Sequence, residues 1–209
     1  CKLFEHGIWM FIDLLVETAP KHILPIIQIA SHLELPPCVT FASVCLWNWS
    51  TKFENADLTN PDNLNSLNSF TGTKDEEWFY LVSIGIEACG ASLIPLMLEA
   101  IEAVDAKNDS LVAEILTKYA DGLQGVNKVL ARMIEKCSPA VFYLQLRPFL
   151  AGTKNMEKAG LPNGVFYDQG NGKGEWRKYS GGSNAQSSLF QTFDIFLGVE
   201  HNRPDPGNY

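Results

Sequence analysis

The sequence predicts an all-α fold, and three observations support this prediction. Apolar residues recur mostly at helical spacing along the chain. Polar residues stand where helices begin, as Thr73 and Glu76 do. Hydrophobic residues make up 46% and charged residues 19% of the 209 residues, so the chain can bury a substantial core. We expect residues 1–209 to form a single, incomplete all-α domain, with residues 1–50 belonging to or bordering a smaller preceding domain.

Four segments make up the first third of the chain. Residues 4–17 predict an amphipathic helix, and residues 23–35 predict a short helical piece that ends at two prolines. Residues 38–50, CVTFASVCLWNWS, predict a second, buried helix. Residues 53–75 are rich in asparagine and predict a connecting loop with room for one helical turn.

The strongest helix start lies at Thr73 and Glu76, which have the spacing of a capping box. This helix is predicted over residues 73–104, bent at Pro95 because proline removes one backbone hydrogen bond. Its apolar part is also long enough to cross a bilayer. The charge of Glu87 near the middle favours a central helix of a soluble bundle instead.

Three more helices are predicted from caps and apolar periodicity. They begin at residues 108–110, at Ser138 with Pro139, and near Asn184, where Ser183 and Gln186 have the spacing of a capping box. The first of them is predicted to run to about Lys136, and Pro148 is predicted to bend or end the second. Residues 152–180 are polar and rich in glycine, which predicts a long loop outside the core.

Composition excludes several classes of function. The net charge is −8 and there is no basic run, so we expect no nucleic-acid partner. The five cysteines are scattered without metal-ligand spacing, which favours a reduced, cytoplasmic protein. The four histidines form no metal constellation either, and we expect them at the surface. No membrane partner is expected.

Two stretches could bind a ligand or serve packing alone. Gly181 and Gly182 precede an apolar helix, where bare N–H groups could receive a carboxylate. An ordinary turn and cap is the alternative, and local sequence favours it. Ser83 lies among small residues one turn after Phe79, an arrangement that admits either a neighbouring helix or a flat ligand, and packing of a helix is favoured.

Arg147 is a lone positive charge among apolar neighbours in FYLQLRPFL. We therefore expect a buried guanidinium, and a buried guanidinium needs a partner. An internal carboxylate and an anionic ligand are equally suitable partners at this point.

Five ordered motifs resemble one known family. They are LELPPCVTFASVCLWNW at 33–49, WFYLVSIGIEACGASLIP at 78–95, RPFLAG at 147–152, LPNGVFY at 161–167 and GGSNAQSSLFQTFDIFLGVEH at 181–201. Together they are similar to the indoleamine 2,3-dioxygenase family over about residues 25–201. The order and number of the motifs make the resemblance specific.

The resemblance implies a role for each matching residue. The implied catalytic residues are Ser83 and Arg147. The implied substrate-binding residues are Phe41, Val44, Phe79, Phe142, Tyr143, Arg147, Ala151, Ser183 and Asn184. The implied cofactor-binding residues are Ser83, Gly181, Gly182, Ser183 and Asn184. In this scheme Arg147 holds the substrate carboxylate and Ser83 lies above the haem, while Tyr143 and Asn184 depart from the commonest residues of the family.

The resemblance also implies haem b as cofactor, and O₂ with L-tryptophan or a related indoleamine as substrates. The family cleaves the indole C2–C3 bond and gives N-formylkynurenine, the first step of the kynurenine pathway. A monomer is expected. The haem-ligating histidine of the family is expected beyond Tyr209, so the chain is expected to be a fragment or a truncated product. A haem- and O₂-binding carrier and an inactive helical relative are the alternatives.

Overall fold

The structure is a computed structural model that describes the backbone of residues 20–201 and the side chains of residues 23–201. The prediction of a helical fold is confirmed, because most of the described residues lie in helices and the strands are short. The predicted helix over residues 4–17 lies outside the described residues.

Eight α-helices and two small hairpins are found in residues 20–201. The helices are α1 (Pro20–His32), α2 (Lys74–Ala91), α3 (Ile94–Asp105), α4 (Asp109–Ala131), α5 (Met133–Lys136), α6 (Pro139–Val141), α7 (Arg147–Leu150) and α8 (Ser188–Leu197). Two π-helical turns cover Ala42–Leu46 and Phe142–Leu146, and 3₁₀ turns cover Pro61–Asn63, Glu157–Ala159 and Asn184–Gln186. Strands β1 (Trp49–Thr51) and β2 (Leu64–Ser66) pair antiparallel, as do β3 (Val165–Gly170) and β4 (Lys173–Arg177).

Helix α2 begins where its cap predicts. The Thr73 hydroxyl accepts a hydrogen bond of 3.2 Å from the N–H of Glu76. The Glu76 carboxylate is fully buried and does not complete a capping box. It accepts hydrogen bonds from the N–H groups of Phe70 and Thr71 and from the hydroxyl of Tyr80. Glu76 therefore anchors the chain that enters α2.

Helix α2 is the central helix of the described region. One face, which includes Val82 and Ile86, packs on α4 in the largest hydrophobic cluster. The opposite face, which includes Leu81 and Ile84, packs on residues 41–46 in a second cluster. Burial on both sides explains why α2 carries no broad polar stripe.

The apolar stretch that follows Thr73 forms two helices instead of one bent helix. Helix α2 ends at Ala91, and the N–H of Leu93 bonds the Gly90 carbonyl. Pro95 lies in the first turn of α3, where its missing N–H breaks no bond. By length and composition residues 74–105 could cross a membrane, but half of the most apolar window is buried inside the protein.

Helix α4 begins at the predicted cap, since the Asn108 side chain accepts a bond of 3.1 Å from the N–H of Leu111. It was predicted to continue to about Lys136 but ends at Ala131, and the short α5 follows it. The Trp78 indole N–H donates to the Arg132 carbonyl at this break, which ties the end of α4 to α2.

The predicted buried helix over residues 38–50 is wrong. Only one π-helical turn forms there, and the chain then enters β1, which pairs with β2 inside the predicted loop. The side chain of Asn48 causes the change of direction. Its amide donates to the carbonyls of Val44 and Asn68, and its oxygen accepts from the N–H of Asn68. The bond to the Val44 carbonyl, four residues back, competes with a helical backbone bond, and the two bonds to Asn68 tie the chain to backbone 20 residues away.

The predicted polar loop over residues 152–180 is also wrong. Strands β3 and β4 form a hairpin there, and Asn171 and Gly172 connect them, both with positive φ. Asn-Gly is the sequence favoured in such two-residue turns because both positions need φ > 0. The general polarity of the segment concealed this local signal.

The hairpin has its own core. Leu161, Val165 and Tyr167 are buried together with Ile23 of α1. Helix α1 therefore packs on β3. The expectation that residues 1–50 belong to or border a smaller domain stays a prediction, as does the single-domain assignment.

Candidate functional site

A pocket of about 320 Å³ opens between four segments of the fold. Its walls come from α2, the second π turn, the end of α7 and the loop before α8. The lining residues are Phe79, Phe142, Arg147, Leu150, Ala151, Gly182, Ser183 and Asn184. Seven of these eight were predicted as site residues, and the structure brings them together from positions more than 100 residues apart. Leu150 was missed, although it lies inside the RPFLAG motif.

The two phenylalanines form an aromatic wall. The ring centroids of Phe79 and Phe142 lie 4.9 Å apart with an angle of 45° between the rings. Phe142 begins the π turn that precedes α7. Pro148 lacks an N–H and cannot support a regular α-helical bond here, and such π turns are frequent at functional sites. The predicted bend at Pro148 therefore takes the form of a π turn.

Arg147 is exposed, so the expectation of a buried guanidinium is wrong. Its guanidinium carbon lies 5.2 Å from the centroid of the Tyr143 ring, a cation–π geometry. The ion pairs formed by residues 23–201 do not include Arg147. Of the two partners considered from sequence, an internal carboxylate is thus absent in the described region. The guanidinium borders the pocket and can receive an anion there.

The two glycines have different roles. A Cβ on Gly181 would overlap the carbonyl oxygen of Leu150 and lie 2.6 Å from the nitrogen of Gly152. Gly152 itself pairs with Ser180 in an isolated antiparallel bridge. Gly181 is therefore needed where two chain segments cross, and it does not line the pocket. Gly182 does line it, so bare backbone borders the pocket at one of the two positions.

The start of the last helix differs from the prediction. Ser183 accepts a bond from the N–H of Ala185 and caps only a single 3₁₀ turn. Helix α8 begins later, where the Ser187 hydroxyl accepts from the N–H of Phe190 and donates to the Glu87 carboxylate. Ser187 is fully buried. The cap predicted at Ser183 is thus displaced by four residues.

Four predicted site residues lie outside this pocket besides Gly181. Ser83 is buried, and its hydroxyl donates to the carbonyl of Phe79 at 2.9 Å. Phe41 is buried between α2 and α7. Val44 lines a separate cavity of about 170 Å³. Tyr143 is exposed beside Arg147. Their assigned roles in the site stay predictions.

Cys45 is fully buried against α2 and is linked by a hydrogen bond to Ser83. Burial, opposed by Ser83 and assisted by the nearby charge of Glu87, raises the pKa of the Cys45 thiol to about 12. The folded protein therefore keeps the proton after the unfolded chain has lost it near pH ~8.5.

This thiol should make stability depend on alkaline pH. We expect its contribution to be complete below pH ~8.5 and to be lost as the pH rises toward 12. Between pH ~8 and ~9.5 the loss of unfolding free energy should be about 1 kcal/mol. Urea unfolding at both values measures it, with Cys45→Ala as control. An equal loss in Cys45→Ala would assign the effect to other groups.

The described histidines do not reach the pocket. His201 pairs with Asp194 at 2.7 Å, and His32 is exposed at the end of α1. Within residues 20–201 no group of three or more histidine, cysteine or acidic side chains could hold a metal ion. Haem of this type needs an axial imidazole. Among the described residues, none that lines the pocket carries the imidazole that such a haem would require.

Comparison of the sequence with known proteins identifies a family. The sequence model of the family described as "Indoleamine 2,3-dioxygenase" matches residues 3–208. Indoleamine 2,3-dioxygenase acdA of Aspergillus candidus is 47% identical over 193 residues, which cover 88% of this chain and 48% of that protein. The 6-hydroxytryptophan 2,3-dioxygenase fscD of Fusarium equiseti is 40% identical over 178 residues, 85% of this chain and 44% of that protein.

A mammalian relative gives the same result at lower identity. Indoleamine 2,3-dioxygenase 1 of Rattus norvegicus is 32% identical over 181 residues, 85% of this chain and 42% of that protein. The chain thus spans less than half the length of each of these three relatives. Because the family match extends over nearly all 209 residues, the chain belongs to the indoleamine 2,3-dioxygenase family.

Proposed function

We propose that the protein is a haem-dependent dioxygenase that cleaves the indole C2–C3 bond of L-tryptophan to give N-formylkynurenine. One observation carries the proposal: a guanidinium without an ion-pair partner in the described region borders a pocket walled by two aromatic rings. An amino acid with an indole side chain matches both features. Other members of the family act on the same class of molecule, as their names state.

Each lining group has a defined task in this proposal. The Arg147 guanidinium binds the substrate carboxylate with two parallel hydrogen bonds. Phe79 and Phe142 pack against the indole ring and hold its C2–C3 bond at one depth in the pocket. Ser183 and Asn184 border the remaining side of the pocket and, with substrate bound, would limit the access of water.

Haem, when bound, would supply the activation of O₂. The backbone at Gly182 is the part of this chain that would lie against it, since no side chain intervenes there. Ser83 does not face the pocket, and its hydroxyl is engaged by the Phe79 carbonyl. We therefore propose that Ser83 acts through Phe79, by fixing the turn of α2 that carries this ring.

6-Hydroxytryptophan is the alternative to L-tryptophan as the substrate. The Fusarium equiseti relative is named for 6-hydroxytryptophan, whose carboxylate would bind Arg147 equally. The exposed hydroxyl of Ser183 and amide of Asn184 would face the added hydroxyl only if the ring points toward the loop. We propose L-tryptophan as the main substrate because the two rings that form the wall carry no polar group.

The test is turnover by the purified full-length protein supplied with haem. A Soret band should appear, and under O₂ with a reductant L-tryptophan should yield N-formylkynurenine, measured by its absorbance and by mass. A Soret band with unchanged tryptophan would favour an O₂ carrier built on the same fold. If no Soret band forms, catalysis by this protein is refuted. Competition between L-tryptophan and 6-hydroxytryptophan measures the substrate preference.

We also propose that the protein is a monomer and that it is located in the cytoplasm. The four cysteines at described positions are all free, which suits a reducing compartment. Gel filtration with light scattering tests the monomer, and fractionation of cells tests the location.

A further inference from the structure

Gln186 makes two hydrogen bonds that its predicted capping role does not explain. Its side-chain oxygen accepts from the N–H of Phe41 at 2.8 Å, across 145 positions of sequence. Its side-chain nitrogen donates to the carbonyl of Gly181 at 3.1 Å. One amide thus joins the segment before the first π turn to the loop that precedes α8.

Both ends of this bridge lead to the pocket. Gly181 directly precedes the lining residues Gly182, Ser183 and Asn184. The ring of Phe41 is buried beside α2, the helix that carries Phe79. The bridge therefore sets the position of the loop relative to the aromatic wall.

The loop lies directly against the segment that Gln186 reaches. A Cβ on Gly182 would lie 3.1 Å from the Val39 side chain and 3.2 Å from the backbone carbon of Thr40. Gly182 has no side chain, so it cannot form a side-chain hydrogen bond that would hold this contact in place. The Gln186 amide supplies the polar link at the same point.

The Cys38 thiol donates to the Ser180 carbonyl at 3.8 Å, just before this loop, and two further side-chain links act at the far end of the loop. Gln191 donates to the Ala185 carbonyl at 3.1 Å, within the start of α8. Ser187 joins Glu87 of α2 at the helix cap. Neither bond reaches residues 39–41, so Gln186 alone among these three side chains connects the loop to that segment.

We propose that Gln186 is a positioning residue, which holds residues 182–184 against residues 39–41 and thereby sets the width of the pocket. The consequence for substrate rests on the proposed function. The consequence for the loop does not, because it follows from two hydrogen bonds present without a ligand. A loop released from the bridge should bind substrate more weakly while the rest of the core stays folded.

The experiment compares three variants in the full-length protein supplied with haem. Gln186→Met keeps the length of the side chain and removes both bonds. Gln186→Glu keeps the acceptor for Phe41 and removes the donor to Gly181. Gln191→Met is the matched control, since it removes a single amide bond to the same loop without touching Phe41.

Two measurements are expected to change in Gln186→Met. Hydrogen exchange of the Phe41 amide and of the peptide 179–187 should become about tenfold faster. The KM for L-tryptophan should rise about tenfold, with kcat changed less than about twofold. Gln186→Glu should retain the protection of Phe41 and give an intermediate KM. Gln191→Met should match the wild type in KM and in exchange at Phe41.

The outcomes separate the two proposals. Unchanged exchange at Phe41 and at peptide 179–187 in Gln186→Met would overturn the positioning role. An equal rise of KM in Gln191→Met would also overturn the positioning role, because loss of any amide bond in this loop would then raise KM to the same extent. If the wild-type protein does not use L-tryptophan, the proposed function fails, and the exchange rates still decide whether Gln186 holds the loop.

Discussion

Replacing Arg147 with alanine is expected to lower kcat/KM for L-tryptophan about 30-fold, a loss of roughly 2 kcal/mol. In the proposed function the guanidinium binds the substrate carboxylate, and among the described residues no other cation lines the pocket to replace it. Truncating a fully buried pair can cost more, about 2–5 kcal/mol. Arg147 is exposed in the absence of ligand, which places the expected effect at the lower end.

Steady-state kinetics with two substrates make this test specific. Tryptamine has the indole ring but no carboxylate, so Arg147→Ala should change its kcat/KM by less than about twofold. Arg147→Lys should fall between wild type and alanine, because lysine keeps the charge and lacks the planar fork. An equal loss for both substrates would mean that the pocket itself is damaged.

Arg177→Ala is the matched control for Arg147→Ala. Its guanidinium also lies over a tyrosine ring, that of Tyr167 at 5.4 Å, but on the β3–β4 hairpin. We expect kcat/KM for L-tryptophan to stay within about twofold of wild type in this variant. Unchanged kinetics in Arg147→Ala would remove Arg147 from the substrate site.

Gly181→Ala is expected to destabilise the fold by about 3 kcal/mol or more. The new methyl group would overlap the Leu150 carbonyl oxygen and crowd the nitrogen of Gly152. These are backbone atoms, so no side chain can rotate away to make room. One of the two crossing segments must move, and both carry residues that line the pocket. Urea unfolding measures the loss of stability.

Gly125→Ala controls for the general effect of adding a methyl group to a glycine. Gly125 lies in α4, and the nearest atom to its new Cβ would be the Cys89 sulfur at 3.3 Å. Alanine is favoured over glycine in a helix by about 1 kcal/mol, so this variant should be neutral or more stable. A loss below about 1 kcal/mol in Gly181→Ala would show that the crossing can relax.

Helix starts could be predicted from sequence where a side chain caps the helix locally. Thr73 and Asn108 accept bonds from N–H groups three residues ahead, so the necessary partners are adjacent in the chain. The same reasoning failed at Gln186, whose spacing from Ser183 suits a capping box. Its amide has two better partners, and one of them lies 145 residues away.

The hairpins could not be predicted in the same way. Asn171 and Gly172 carry a local turn signal, but the polar residues around them conceal the alternation of the short strands. Strand β1 depends on Asn48, whose side chain bonds the backbone of Asn68. The spacing of apolar residues in 38–50 does not indicate this bond to Asn68.

The family and most of the pocket were accessible from sequence, because ordered motifs identify residues by position. Seven of the eight lining residues follow from those motifs. The tertiary structure alone decided how the residues are used. Gly181 is bare because Leu150 crosses it, Arg147 is exposed, and Gln186 joins the loop to Phe41. Contacts between segments far apart in the chain determine these three features. Helix starts depend instead on bonds between a side chain and the adjacent backbone. For this reason a short stretch of sequence predicts a helix start but does not predict these features.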